Sequence, residues 1–477
     1  MKKLKLLFLI LSTFSLVLLT GFITQNLHAQ GLSNEVMPSN TKADTSTISE
    51  TNEDDSRLFE TVRFGRYNTN ARNKREIEAN SMLQYTPDRD TSFLNVGGAV
   101  RYNYVFTNYE NGIQSLGTPN RNEWTWDTWR LNVDGLSKGV NFSFEYRFYP
   151  AFNSHFIHHG WLGYKFGEHF NLTFGVQQVP FGMQKFVSHS WWFQLPYYVG
   201  LEDDYDMGFK LKRATEQWDI TFGYYVNAEP RGTSEASFGP FSAARYSYDV
   251  ITNADKNVSN IERNQFNGRL AYKMPNGEVG LSGQFTEIFN LSTENKGGQA
   301  SFALHLDYNW NKWNLKTEYI YFNFTDIEDN DGNPIDVVQM GAYGFGTYDV
   351  AQEASMYMIG LSYTQPVDFG PISSLTFYND YSLMQKHGEF SFPGGTDSFV
   401  NSQQNVLGVL VTAANRIYTY FDLAMGYNHP WLTDNFGGNS LGSGDAVNFR
   451  QPVSVTNPID QGPGWNYRFN INLGYYF

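Results

Sequence analysis

The chain has 477 residues, a formal charge of −14, no cysteine and 17% aromatic residues. The acidic balance excludes a nucleic-acid partner, which would need basic patches, and the missing cysteine excludes disulfides, a lipidated cysteine and thiolate metal sites. A mean hydropathy of −0.44, with no later apolar run of about twenty residues, excludes a helical membrane protein, yet a water-soluble domain would struggle to hide 39 Phe and 31 Tyr.

Residues 1–29 read as a signal peptide. Lys2, Lys3 and Lys5 give a positive start, Leu6 to Leu19 an apolar run, and Leu27-His28-Ala29 a small-residue cleavage site before Gln30. An uncleaved amino-terminal anchor is the other reading. Residues 30–90 read as a flexible periplasmic segment. Gly31 to Asp55 is rich in Ser, Thr, Asn and acids, and Arg57 to Asp90 carries mixed charge with room for a short helix.

From residue 91 to 477 the pattern changes to alternating apolar and polar positions, broken by Gly, Asn, Asp and Pro clusters. About sixteen such segments follow, an even number of the kind a bacterial antiparallel barrel requires. They are 93–106, 124–134, 140–149, 156–166, 170–178, 205–213, 217–228, 262–273, 278–289, 299–309, 313–324, 353–364, 373–386, 403–412, 416–428 and 464–477. Short connections such as Gly167-Glu168-His169 and Pro275-Asn276-Gly277 alternate with long ones such as 179–204 and 229–261. Periplasmic turns and extracellular loops differ in this way. The connection at 150–155 is too short for that scheme. In the last segment every odd position from Trp465 to Phe477 is apolar or aromatic. A terminal Phe resembles the signal read by the barrel-assembly machinery. The expected fold is all-β: a transmembrane antiparallel β-barrel in outer-membrane lipid. A soluble sandwich or propeller would leave the terminal strand and the loop asymmetry unexplained.

If the apolar face meets lipid, the other face lines a pore. In 140–149, Val140, Phe142, Phe144, Tyr146 and Phe148 point out, and Asn141, Ser143, Glu145, Arg147 and Tyr149 point in. In 217–228, Trp218, Ile220, Phe222, Tyr224 and Val226 point out, with Asp219, Thr221 and Asn227 in. The same rule turns inward Arg101, Arg130, Lys165, Lys210, Lys212, Arg269, Lys273, Lys316 and Arg468, against the acids Glu145, Asp219, Asp307 and Glu318. Such a lumen favours small anionic solutes. Pairing of each base with a wall acid is the alternative. A register slip of one residue would move any of these charges to the other face.

The connection 179–204 is too aromatic for a solvated loop. Phe181, Phe186, Trp191, Trp192, Phe193, Tyr197 and Tyr198 need a surface. Folding into the barrel supplies one, narrows the pore and leaves Lys185, His189 and Gln194 to solutes; packing on neighbouring outer loops is the alternative.

Phe174-Gly175-Val176-Gln177-Gln178-Val179-Pro180-Phe181-Gly182 resembles the strand-to-loop signature of the phosphate-selective porin O and P family. So does Trp129-Arg130-Leu131-Asn132-Val133-Asp134-Gly135 followed by Phe144-Glu145-Tyr146-Arg147. Leu195-Pro196-Tyr197-Tyr198-Val199-Gly200-Leu201-Glu202-Asp203-Asp204 looks like the form found in porins of the Bacteroidetes branch. The resemblance spans about residues 93 to 477. It implies a homotrimeric, sixteen-stranded porin of the bacterial outer membrane, with an inward-folded constriction loop and an anion preference. The family's arginine ladder and lysine cluster are not matched residue by residue, and the lumen acids argue against phosphate specificity.

Other motifs carry less. His158-His159 on a strand would point to opposite faces and share no metal. Asp326 to Asp336 resembles a calcium loop, but Ile327 and Val338 fall where ligands are needed. Asp329 and Asp331 are thus either a weak calcium site or solvated loop acids, and Glu202-Asp203-Asp204 with Asp206 have the same two readings. His155, His169, His305 and His387 lie near no Gly-x-Ser-x-Gly elbow, so no enzyme is expected, nor any cofactor. A structural or surface-binding platform with a closed lumen is the competing function.

Overall fold

The computed structural model describes residues 61–64, 92–108, 121–150, 153–184, 186–234, 244–344, 347–392, 395–432 and 464–477. The expected signal peptide lies outside them, as does residue 30–90 apart from Thr61–Phe64, which forms a short strand parallel to the first barrel strand. Sixteen strands build the barrel: β1 (Phe93–Thr107), β2 (Arg121–Ser137), β3 (Val140–Tyr149), β4 (Ser154–Phe166), β5 (Phe170–Gln178), β6 (Tyr205–Ala214), β7 (Trp218–Ala228), β8 (Asn260–Met274), β9 (Gly277–Asn290), β10 (Lys296–Trp310), β11 (Trp313–Thr325), β12 (Glu353–Phe369), β13 (Ile372–Lys386), β14 (Ser402–Ala413), β15 (Ile417–Tyr427) and β16 (Trp465–Tyr476).

Each barrel strand pairs antiparallel with its sequence neighbours. The ring shuts where β16 meets β1, from Ala99 opposite Tyr476 to Thr107 opposite Arg468. At the seam Gly98 donates to the Phe477 carbonyl at 2.9 Å, and the Phe477 N–H returns to the Gly98 carbonyl at 3.0 Å. Closure leaves no unpaired edge, the condition for a sheet to cross lipid. The outer surface carries the alternate apolar set, including Trp126, Leu162, Phe174, Phe222, Phe285, Leu304, Ile359 and Phe421, all exposed. A stripe of that extent belongs in hydrocarbon, not water.

All sixteen segments read from the sequence are strands, and β3 alternates over 140–149 as expected, with its even-paired set outward. Two expectations fail locally, both through β-bulges. Opposite Glu145–Tyr146, β4 carries an extra residue: His159 pairs with Glu145 and Ile157 with Tyr146. His158 therefore does not alternate with His159; their Nδ1 atoms lie 2.8 Å apart. Likewise Gly208 pairs with Tyr225 while Met207 pairs with Asn227. The bulge turns Asn227 to the exterior, not the lumen, while Tyr225 before it keeps the inward face and is fully buried. A bulge shifts the face of everything beyond it.

Candidate functional site in the barrel lumen

The loop 179–204 lies inside the barrel, held by polar groups on the inner faces of β8 to β15. The Gly182 N–H donates to Ser282 Oγ (2.8 Å) and Met183 N–H to Glu318 Oε1 (2.8 Å), while Arg269 Nε donates to the Gly182 carbonyl (2.9 Å). Lys316 Nζ donates to the carbonyls of Phe186 (2.5 Å) and Ser188 (3.2 Å). Asp380 accepts from the N–H groups of His189 (2.7 Å) and Ser190 (2.8 Å) and faces His189 Nδ1 at 2.7 Å. Gln404 Nε2 donates to the Phe193 carbonyl at 2.8 Å. A buried loop must find a partner for each backbone polar group; here the wall supplies them in place of a sheet. Near its end a short 3-10 turn, Leu195–Val199, stops at Gly200, whose φ of 70° suits glycine.

The loop's aromatic side chains are packed, as expected of so apolar a segment. Phe193 stacks on Tyr197 at 3.6 Å between centroids, and Tyr197 meets Tyr246 and Tyr248 from the outer loop after β7. The outer loops contribute a small three-stranded sheet of Asp249–Val250, Val337–Gly341 and Tyr348–Ala351, largely buried.

The described bases named from the sequence lie on the inner face, on β1 to β4, β6, β8, β11 and β16. Arg101 pairs with Asp127 at 2.7 Å and sits over the Trp191 ring. Arg130 and Arg147 converge on Glu145, Arg130 at 3.6 Å, and Asn132 also donates to that carboxylate. Arg147 stacks over Tyr246 at 4.4 Å, so a wall base meets an outer-loop aromatic. Lys212 pairs with Asp219 at 2.8 Å, and Lys210 donates to the Gln178 carbonyl at 2.7 Å. Lys165 is half-buried on β4. Arg269 pairs with Glu278, Lys273 donates to the Thr215 carbonyl, and Arg468 covers Trp192. Lys185 lies outside the described residues. Arg101 thus lies against the docked loop and Arg130 and Arg147 share Glu145, whereas Arg269 and Lys316 hold the loop.

The inner wall carries more acid than the four residues assigned from the sequence. Asp134, Asp206, Asp380 and Asp422 are also buried inside. Strand alternation alone turns these four inward. His158, His159 and Glu145 bring three metal-type donors together through the bulge, but Arg147, Arg130 and Asn132 already serve that carboxylate. Asp329 caps its own turn, accepting from the Asn333 side-chain amide at 3.0 Å and from the N–H groups of Asn333 and Asp331 at 2.9 Å each, and these bonds, the Asn333 amide foremost, hold its carboxyl below the usual range. Asp331 accepts from Asn257 at 2.8 Å. The acids at 202–206, by contrast, are buried rather than solvated.

No family model and no curated protein matches the chain. Solved structures similar to it include OmpT of Vibrio cholerae (12% identity, 81% of this chain and 98% of that one, TM-score 0.48). The anion-selective porin from Comamonas acidovorans aligns at 15% identity over 81% of this chain and 100% of its own (TM-score 0.48). The outer membrane channel DcaP of Acinetobacter baumannii aligns at 10% over 82% and 99% (TM-score 0.48).

Proposed function

We propose that this protein is a bacterial outer-membrane porin, a water-filled channel for passive diffusion of small hydrophilic solutes with a preference for anions. The reading rests on one arrangement: a lipid-faced, closed barrel whose lumen holds an inserted loop beside a cluster of wall arginines. Arg101, Arg130, Glu145, Arg147, Lys165, Lys185, Lys210, Lys212, Arg269 and Lys316 are the residues proposed to line or shape the path. Fixed bases in a narrow, partly desolvated passage attract anions more strongly than bases in bulk water. Phosphate specificity is not part of the proposal, because wall acids interleave with the bases. Three copies are proposed to associate through their lipid-facing aromatics, giving a trimer in mild detergent.

A specific observation favours a second reading, the closed-lumen platform: Tyr197, Tyr198, Tyr248 and Tyr348 are nearly fully buried among the outer loops. Planar-bilayer recording with refolded protein separates the two. Stepwise insertion of stable conductance supports the channel; a folded, heat-modifiable barrel that never conducts supports the platform.

A further inference from the structure

Asp204 ends the lumen loop, Asp206 opens β6, and Glu229 and Asp249 belong to the outer loop between β7 and β8. Carboxylate oxygens of Asp204, Asp206 and Asp249 all lie within 4.8 Å of one another. The three side chains are buried, at 7%, 2% and 0% exposure. Glu229, 1% exposed, faces Asp249. Among the described residues the one base in ion-pair contact with the group is Arg245, 2.6 Å from Asp249 Oδ2. Burial of several carboxylates against one guanidinium is costly unless something else neutralises them.

The orientation of these carboxylates is what points to a ligand. In three of them one oxygen accepts from a donor of the protein and the other receives none, Glu229 and Asp249 lying within hydrogen-bond reach of each other. Asp206 Oδ2 accepts from Gln265 Nε2 at 2.9 Å, Asp249 Oδ2 from Arg245, and Glu229 Oε1 from the Ser247 N–H at 2.8 Å. Asp206 Oδ1, Asp249 Oδ1, Glu229 Oε2 and also Asp204 Oδ1 are buried with no hydrogen-bond partner. Outer groups that orient a ligand and leave its second atom open are the usual surroundings of a bound metal. The donors are all oxygen, which selects a hard cation, and calcium accepts six to eight such oxygens in flexible geometry at about 2.3–2.6 Å.

We infer that Asp204, Asp206 and Asp249, assisted by Glu229, bind a calcium-type divalent cation that staples the lumen loop and the β7–β8 outer loop to the barrel wall. The inference goes beyond the porin reading and stands whether or not the lumen conducts. With the ion in place, the loop is clamped at its carboxyl end by metal and along its length by the wall; without it, mutual repulsion loosens the outer end.

The test uses the full barrel refolded in detergent, with heat-modifiable gel mobility as the criterion of folding. Terbium binding is read by luminescence sensitised through tyrosine; Tyr205 and Tyr248 adjoin the ligands in sequence. One saturable site displaced by calcium is expected. Asp204→Asn breaks no hydrogen bond seen at its side chain and should weaken binding by about tenfold or more, whereas Asp331→Asn should leave it unchanged. Calcium should also raise, and EDTA lower, the temperature at which native protein loses its folded mobility, a readout that needs no variant. Absence of saturable emission, wild-type affinity in folded Asp204→Asn and Asp249→Asn, or an unfolding temperature indifferent to calcium and EDTA would each overturn the inference and leave shared protons as the neutralising agent.

Discussion

His429 follows β15 at the outer end of the barrel and is completely buried. Its Nδ1 accepts from the N–H groups of Trp431 (3.0 Å) and Leu432 (3.1 Å), which a protonated ring cannot do. Burial pushes its pKa down to about 3. Its ring also meets Tyr198 of the lumen loop edge-on at 4.8 Å. The sign of the pH effect follows. An unfolded imidazole takes its proton near pH 6.5, about three and a half units before the folded one, so the turn is fully stable above roughly pH 6.5 and loses stability as pH falls towards 3. At about pH 5 the loss reaches ~2 kcal/mol. Hydrogen exchange at Trp431 and Leu432, corrected for its intrinsic pH dependence, should therefore accelerate between about pH 7 and 5. His429→Asn keeps an acceptor but cannot titrate, and its exchange should stay flat. An unchanged acid response in that variant would assign the effect to another group.

The lumen loop owes its position to one tight turn as much as to its many tethers. Gly182 has φ of 58°, and a Cβ there would run into the Glu318 carboxylate that accepts from Met183. Gly182→Ala combines backbone strain with loss of that bond, at ~1–3 kcal/mol each. The barrel should survive, since no strand is touched. Limited proteolysis should then cut within 181–190 faster than in the native protein, at unaltered heat-modifiable mobility; equal protection would mean the remaining tethers suffice. How much of this was legible in the sequence depended on period. Strands with one lipid face and one inner face must alternate, so all sixteen could be placed, and the aromatic content of 179–204 pointed inward. Bulges are invisible to a period of two: His158 and Val226 look like ordinary members of their strands, so the pairing of His158 with His159 and the outward turn of Asn227 were missed. The acids at 204 and 206 could be read only as a weak calcium site or as solvated loop acids, because nothing local reveals that Asp249, 43 residues after Asp206, folds against them. The tethering roles of Asp380 and Lys316 were equally hidden, since a wall charge looks alike whether it meets water or a loop backbone.

At the scale of the molecule two charged regions oppose each other. The outer end gathers Asp204, Glu229 and Asp249, where burial raises all three carboxyls above their usual range and neighbouring acids add to the rise at Asp204 and Glu229. On the wall, Arg130 and Arg147 share the single carboxylate of Glu145, two bases to one acid. Lys210 and Lys212 continue the basic side on β6, with Asp219 offsetting one of them. Fields from the outer acids decay over about 8 Å at physiological salt, while a base at the narrowest point acts at contact distance in a poorly screened setting. The wall should therefore set selectivity. Under a potassium chloride gradient the reversal potential of the native pore should have the sign of a weak to moderate anion preference. Arg147→Glu together with Lys210→Glu should move it towards cations, in protein first shown to keep its folded mobility. A cation-selective native pore, or a double variant indistinguishable from it, would place the constriction elsewhere. Phosphate should compete poorly with chloride, because Glu145, Asp219 and Asp134 stand among the bases and would repel a multiply charged anion more than a singly charged one.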